Sequence, residues 1–351
     1  MAFSSRGSQT WRGVRIAAVA AAAGLVLAAC GSDDEAATED SDDFGSLTVQ
    51  LSWIKNAEFA GEYFADSKGY YEDAGFSSVT LNPGPGPTEN LVASGEADFG
   101  LSNAVSTGQV VAEEDAPLKI VGTTFQKNPF TILSLKDKGN IATPADLIGK
   151  KIGVQAGGNE ALFDALLKVN DIDPKDVTKV PVEYDPSPLI DGEVDGFLAY
   201  VTNESIIVES QGFPVTNLLF ADNGLPFVAE SVITTDEMIE KEPEKVKAFL
   251  KAEILGWKDA LADTEGGAKL AVDTYGEDLD LDKEIAQAEA QNTLLIVSDE
   301  TKENGLFTIS DDLVAENMAT LAAAGIDLEA DDLFDLSLLD ELLEDEPDLK
   351  D

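Results

Sequence analysis

Residues 53–63, WIKNAEFAGEY, gather Trp53, Asn56, Glu58 and Phe59 into one short stretch. Each suits a small flat ligand: an aromatic face can stack, an amide can donate and accept, and a carboxylate can accept from ring N–H or amino groups. Four other stretches resemble it. AGGNE holds Gly157, Gly158, Asn159 and Glu160, where glycines would let the backbone approach a ligand. YVTNES holds Tyr200, Asn203 and Glu204, GLSNA holds Ser102 and Asn103, and FQKNPF holds Asn128. Together they carry Glu58, Glu160 and Glu204 but only Lys55 and Lys127 as cations. Burying an anion beside unpaired carboxylates costs several kcal/mol, so these residues point to a neutral or weakly basic heterocycle rather than a sulfonate, nitrate or phosphate.

Each candidate has a plainer alternative. On a helix opening at Asn56, Phe59 and Tyr63 fall on one face at i and i+4, and core packing is the expected role of Tyr63 and Phe64. Asn56, Asn159 and Asn203 could each simply cap a helix. Trp53 stands apart, because it follows a strand and precedes a helix start, where α/β folds place ligands.

Catalytic options are few. The chain has no histidine and a single cysteine, Cys30, which removes His-dependent triads, thiol nucleophiles and ordinary zinc sites. Two glutamates in a cleft could serve a hydrolase, but no spacing here demands it. No cofactor or metal is expected.

The elements that must position these residues follow an alternating rhythm. LTVQLSW reads as a strand ending near Trp53, then a helix with Glu58 in its first turn and Gly69 as its stop. SSVTLNPG is a second strand, and ENLVASGEADFGLSNA is a helix, a turn at Gly95 and a short strand. A second cycle starts at GKKIGVQAGGNE and continues to VDGFLAYVTNES. PFTILSLKDKGN and FVAESVITTDEMI read as two crossings between lobes, with helices after the second. This pattern predicts an α/β fold with mainly parallel sheets and a ligand at the carboxyl ends of strands.

The first 29 residues read as a secretory leader. Arg6, Arg12 and Arg15 precede an apolar run that ends on Leu27-Ala28-Ala29-Cys30, which looks like a bacterial lipobox with Cys30 as the lipidated residue. Residues 30–46 are poor in apolar and rich in acidic side chains, as expected of a flexible tether. The chain would then hang from the outer face of the cell membrane. Net charge is −45, and removal of the three leader arginines leaves 20 basic against 68 acidic residues, or −48. Such a surface excludes nucleic acid as a partner and suits a high-salt habitat.

The order of LSWIKNAEFAGEYFADSKGYYEDAG, LVASGEADFGLSNA, GKKIGVQAGGNE and GEVDGFLAYVTNES resembles the substrate-binding lipoproteins of ABC importers in the NMT1/THI5-like family. The resemblance implies a two-lobed type II periplasmic-binding-protein fold with two crossover connections. It divides the chain into lobe 1 (47–138), lobe 2 (139–227), a return to lobe 1 with C-terminal helices (228–330) and an acidic tail (331–351) in which a surface helix frays. It also implies a monomer that delivers its ligand to an ABC permease and its ATPase. Relatives are associated with thiamine pyrimidine precursors and riboflavin, and more distantly with sulfonates and nitrate. Pyrimidine-binding relatives resemble W-x-x-N-x-x-H, and Phe59 stands here at the histidine position. The resemblance places Tyr200, Asn203 and Glu204 facing the ligand. Two other functions compete: a pyrimidine-synthesis enzyme of the same family, opposed by the absence of histidine, and an acidic surface adhesin, which leaves the cleft residues unexplained.

Overall fold

The computed structural model describes residues 43–350, so the leader, Cys30 and most of the tether lie outside the described residues. Ten strands form two five-stranded sheets. The first contains β1 (Gly45–Gln50), β2 (Phe76–Asn82), β3 (Phe99–Asn103), β4 (Leu118–Phe125) and β10 (Ala229–Thr235), in the order β2-β1-β3-β10-β4. The second contains β5 (Phe130–Leu135), β6 (Lys151–Val154), β7 (Thr178–Pro181), β8 (Gly196–Tyr200) and β9 (Val215–Leu219), in the order β7-β6-β8-β5-β9. Each sheet has three parallel strands, and the strand next to them, β10 or β5, runs antiparallel. Helices between parallel strands cover the sheet faces, as the alternating sequence requires.

The chain crosses between the sheets twice, at residues 126–129 and 220–228. Phe130–Leu135 is already a strand of the second sheet, so the first crossing precedes the segment expected to make it. That segment is apolar at four of its six positions and buried along its whole length, which suits an interior strand better than a connector. Asn128 ties the crossings together: its Nδ2 donates to the Leu225 carbonyl at 2.9 Å and its Oδ1 accepts from Phe130 N at 3.2 Å.

Core packing in the first lobe depends on two glycines. Helices Ala60–Ser67 and Pro243–Ala262 cross at Gly61 and Gly256, and a Cβ on Gly61 would lie 2.3 Å from the Trp257 ring. A Cβ on Gly256 would lie 2.2 Å from the Gly61 carbonyl oxygen. The acidic C-terminal stretch does not fray. Helix Ser337–Asp345 buries Leu338, Leu339, Leu342 and Leu343 in the first-lobe core while its carboxylates face out. Leucines at i, i+1, i+4 and i+5 make one apolar stripe, which outweighs the high charge of the segment. Among the described residues no helix is long and apolar enough to cross a membrane.

Candidate functional site

The carboxyl ends of the parallel strands in both sheets face one cleft. The chain leaves β1 through Ser52 and Trp53, and β3 ends on Ser102 and Asn103. From the other side come Gln155 after β6, Tyr200 at the end of β8, and Asn203 and Glu204 at the start of the next helix. The space between is about 850 Å³, part of it open to solvent.

Two aromatic contacts shape its walls. The Trp53 ring from the first lobe meets the Tyr184 ring from the second edge-on, with centroids 4.8 Å apart and planes at 68°. Tyr200 stands against Phe130 at 4.8 Å and 82°. Tyr184 is 41% exposed and sits in the turn after β7, so a ring on the far lobe can reach Trp53 only because the cleft is narrow there.

The charged lining is acidic. Glu89, Glu204 and Glu230 border the space and, among the described residues, no lysine or arginine does. Glu89 accepts from the Ser102 hydroxyl. Glu204 accepts from Tyr200 N at 2.8 Å, yet burial pushes its carboxyl up to about 7. Glu230 accepts from the Ser52 hydroxyl at 2.9 and 2.8 Å, and burial pushes it to about 7 as well. Its backbone is in the left-handed region, φ 45°, at a bulge where β10 shifts register between Ala229 and Ser231. A non-glycine residue is rarely held there, and the bulge re-aims its side chain into the cleft. Among the described residues no group of His, Cys, Asp and Glu is arranged to hold a metal ion.

Of the residues singled out from sequence, Trp53, Ser102, Asn103, Asn159, Tyr200, Asn203 and Glu204 come together around this space. Asn103 also caps the next helix, its Oδ1 accepting from Val105 N and Ser106 N at 3.1 and 2.9 Å. Asn203 makes no side-chain capping bond, which leaves its amide to the cleft. Asn159 is not the helix cap expected; Gly157 holds that position with φ 84°, and Asn159 donates instead to Gln155 Oε1 at 3.1 Å.

The remaining candidates do not line the space. Asn56 caps the turn Ala57–Phe59, its Oδ1 accepting from Glu58 N at 3.0 Å. Phe59 is fully buried in the first-lobe core, because the turn after Trp53 points it under the sheet. Glu58 lies behind Glu230, within reach of its carboxyl. Asn128 holds the crossings, as described. Gly157 and Gly158 form an exposed turn beside the cleft, and Glu160 faces outward in an ion pair with Lys179 at 2.7 Å. Among the cleft residues that escaped the sequence reading are Ser52, Glu89, Gln155, Tyr184 and Glu230. The signal for Glu230 was a carboxylate inside the strand pattern FVAESVITT, where an interior strand should be apolar.

Comparison with known proteins decides the family. Residues 56–266 match the family described as NMT1/THI5 like. The chain belongs to that family. A riboflavin-binding protein of Chloroflexus aurantiacus is 27% identical over 255 residues, 69% of this chain and 71% of the relative. A 4-amino-5-hydroxymethyl-2-methylpyrimidine phosphate synthase of Schizosaccharomyces pombe is 28% identical over 253 residues, 68% of this chain and 70% of the relative. Among solved structures, the alkanesulfonate-binding protein of Xanthomonas axonopodis pv. citri bound to MOPS superimposes with a TM-score of 0.61 at 17% identity, covering 82% of this chain and 96% of its own. The NMT1/THI5-like chain therefore has the periplasmic-binding-protein fold, and its two sheets and two crossings are the parts of that fold.

Proposed function

We propose that this NMT1/THI5-like chain is an extracytoplasmic solute-binding protein that captures a small, flat nitrogen heterocycle and delivers it to an ABC importer. The ligand class with the best support is an aminopyrimidine-type ring, neutral or cationic, with N–H donors along one edge. The observation that carries this reading is the lining: Trp53 and Tyr200 offer ring faces, and Glu89, Glu204 and Glu230 offer acceptors with no lysine or arginine beside them. Trp53 would stack on the ring, Asn203 and Ser102 would read polar edges, and the carboxylates would take N–H groups. Sulfonate or nitrate in the same space would meet three carboxylates, at a desolvation and repulsion cost of several kcal/mol. Anchoring through a lipid on Cys30, work as a monomer, and docking of the closed lobes on a permease driven by an ATPase belong to the same reading.

The named pyrimidine synthases among the relatives raise an enzymatic alternative. The absence of histidine from the whole chain favours binding over synthesis. A thermal-unfolding panel of the purified chain tests the proposal, with aminopyrimidines, thiamine, riboflavin, nucleobases, taurine and nitrate. A ligand at about 100 times its Kd stabilises by roughly 2.7 kcal/mol and raises the midpoint by several degrees. A shift with an aminopyrimidine or thiamine is expected; a shift with taurine or nitrate alone overturns the reading.

A further inference from the structure

Glu230 borders the cleft, and Glu58 lies behind it, with the two carboxyl groups within hydrogen-bond reach of each other. Glu230 is 3% exposed, held on its bulge with φ 45° and fixed by both bonds from the Ser52 hydroxyl. Glu58 is 2% exposed, comes from the turn after Trp53, and one of its oxygens has no partner in the protein. Two buried carboxylates within hydrogen-bond reach cannot both be ionised, so the pair keeps a proton, and burial together with the Glu230 carboxyl holds Glu58 well above the ordinary carboxyl value. The groups facing them add to that demand: Glu62 and Tyr63 from helix Ala60–Ser67, Glu204 and Tyr200 from the second lobe, and Glu89 across the cleft. All are acidic or neutral, and no cation stands among them.

We infer that Glu58 and Glu230 act as one acid pair, in which Glu58 keeps the shared proton and donates it to Glu230, leaving Glu230 as the single carboxylate that selects a cationic edge of the ligand. The inference rests on the heterocycle reading of the cleft and deepens it, because it names the group that sets charge preference. Glu58 is a positioning residue acting through Glu230. Below neutral pH Glu230 also takes up a proton, and capture of a cation must then expel that proton to solvent. Above neutral pH the cation meets the carboxylate already ionised. A neutral base that takes the proton from Glu230 on binding at these pH values exchanges none with solvent.

The test is calorimetric titration of the purified full chain with 1-methyl-4-aminopyrimidinium, a permanent cation, from about pH 5 to about pH 9. The expected affinity rises about tenfold per pH unit and levels off near 7, the midpoint to which Glu230 is pushed. E58Q keeps a neutral donor against Glu230, so it should bind within a few-fold of the parent chain with the same profile. E58L removes the donor and should move the plateau to higher pH, whereas E230Q should lose roughly 100-fold or more and flatten the profile. Equal losses in E58Q and E230Q, or a flat profile below neutral pH in the parent chain, overturn the pair. Should the cation bind nowhere, the heterocycle reading falls, and the pair is decided by carboxyl carbon NMR of the ligand-free chain. One glutamate resonance titrating near neutral pH that is lost in E230Q, kept in E58Q and moved to higher pH in E58L supports it; a set of titrating resonances unchanged in E230Q overturns it.

Discussion

A second pair of buried acids, away from the cleft, makes a sharp prediction about stability. Glu253 on helix Pro243–Ala262 is fully buried and accepts from the Tyr71 hydroxyl, and its carboxyl faces that of Glu62, itself 1% exposed. Burial pushes Glu253 from 4.5 up to about 8. The folded chain therefore holds this proton through neutral pH, while the unfolded chain releases it near the ordinary carboxyl value. The stability it contributes is fully present below about 4.5 and is lost as pH rises to about 8. At about 1.4 kcal/mol per pH unit, the loss between pH ~5 and pH ~8 is on the order of 4 kcal/mol. With roughly 0.6 kcal/mol/K of unfolding entropy for about 300 residues, that is a fall in Tm of about 6 °C. Glu253→Gln keeps the shape, the acceptor for Tyr71 and a donor for Glu62, and removes the titration. Thermal unfolding of parent and variant at a series of pH values reads the difference directly, since the many exposed carboxylates act alike in both. The two curves should meet near pH 5 and separate by several degrees near pH 8, with the variant higher. Parallel curves would refute the reasoning.

Tyr184→Ala should weaken binding of an aminopyrimidine about 2- to 12-fold, from loss of an aromatic contact of about 0.5–1.5 kcal/mol with Trp53, and lower Tm by no more than about 2 °C; calorimetry and a melting curve check both parts. Gly61→Ala should destabilise the chain by roughly 1–3 kcal/mol, because its Cβ would lie 2.3 Å from the Trp257 ring inside a packed helix crossing; urea unfolding measures this. Asn128→Ala should cost about 1–3 kcal/mol by orphaning the Leu225 carbonyl and the Phe130 N–H where the crossings are tied together.

Much of the fold was legible because strand and helix periods differ and glycines mark the turns. The strand before Trp53, the turn at Gly95 and the GKKIGV strand each emerge where pattern and breaker agree. Phe130–Leu135 was misplaced because an apolar run does not say which sheet it joins; that is settled by pairing with β8 and β9, far away in sequence. The acidic tail was misread because charge drew attention from its leucine stripe. For the cleft, residues at strand ends could be anticipated from topology, as Trp53, Asn103 and Tyr200 illustrate. Phe59 and Asn128 could not be separated from them, because a one-residue turn decides whether an aromatic faces a ligand or the core. Glu230 and Tyr184 enter through a bulge and a loop from the other lobe, and neither leaves a periodic mark.

The most direct test of the central claim uses Trp53 itself. Of the chain's three tryptophans, Trp11 lies outside the described residues and Trp257 is buried in the core, so a ligand in the cleft should quench Trp53. Fluorescence titrations with an aminopyrimidine and with taurine, on the parent chain and on Trp53→Phe, would be run side by side. The account predicts saturable quenching by the aminopyrimidine in the parent chain, its absence in Trp53→Phe, and no response to taurine. Saturable quenching by taurine with none from the aminopyrimidine would contradict it.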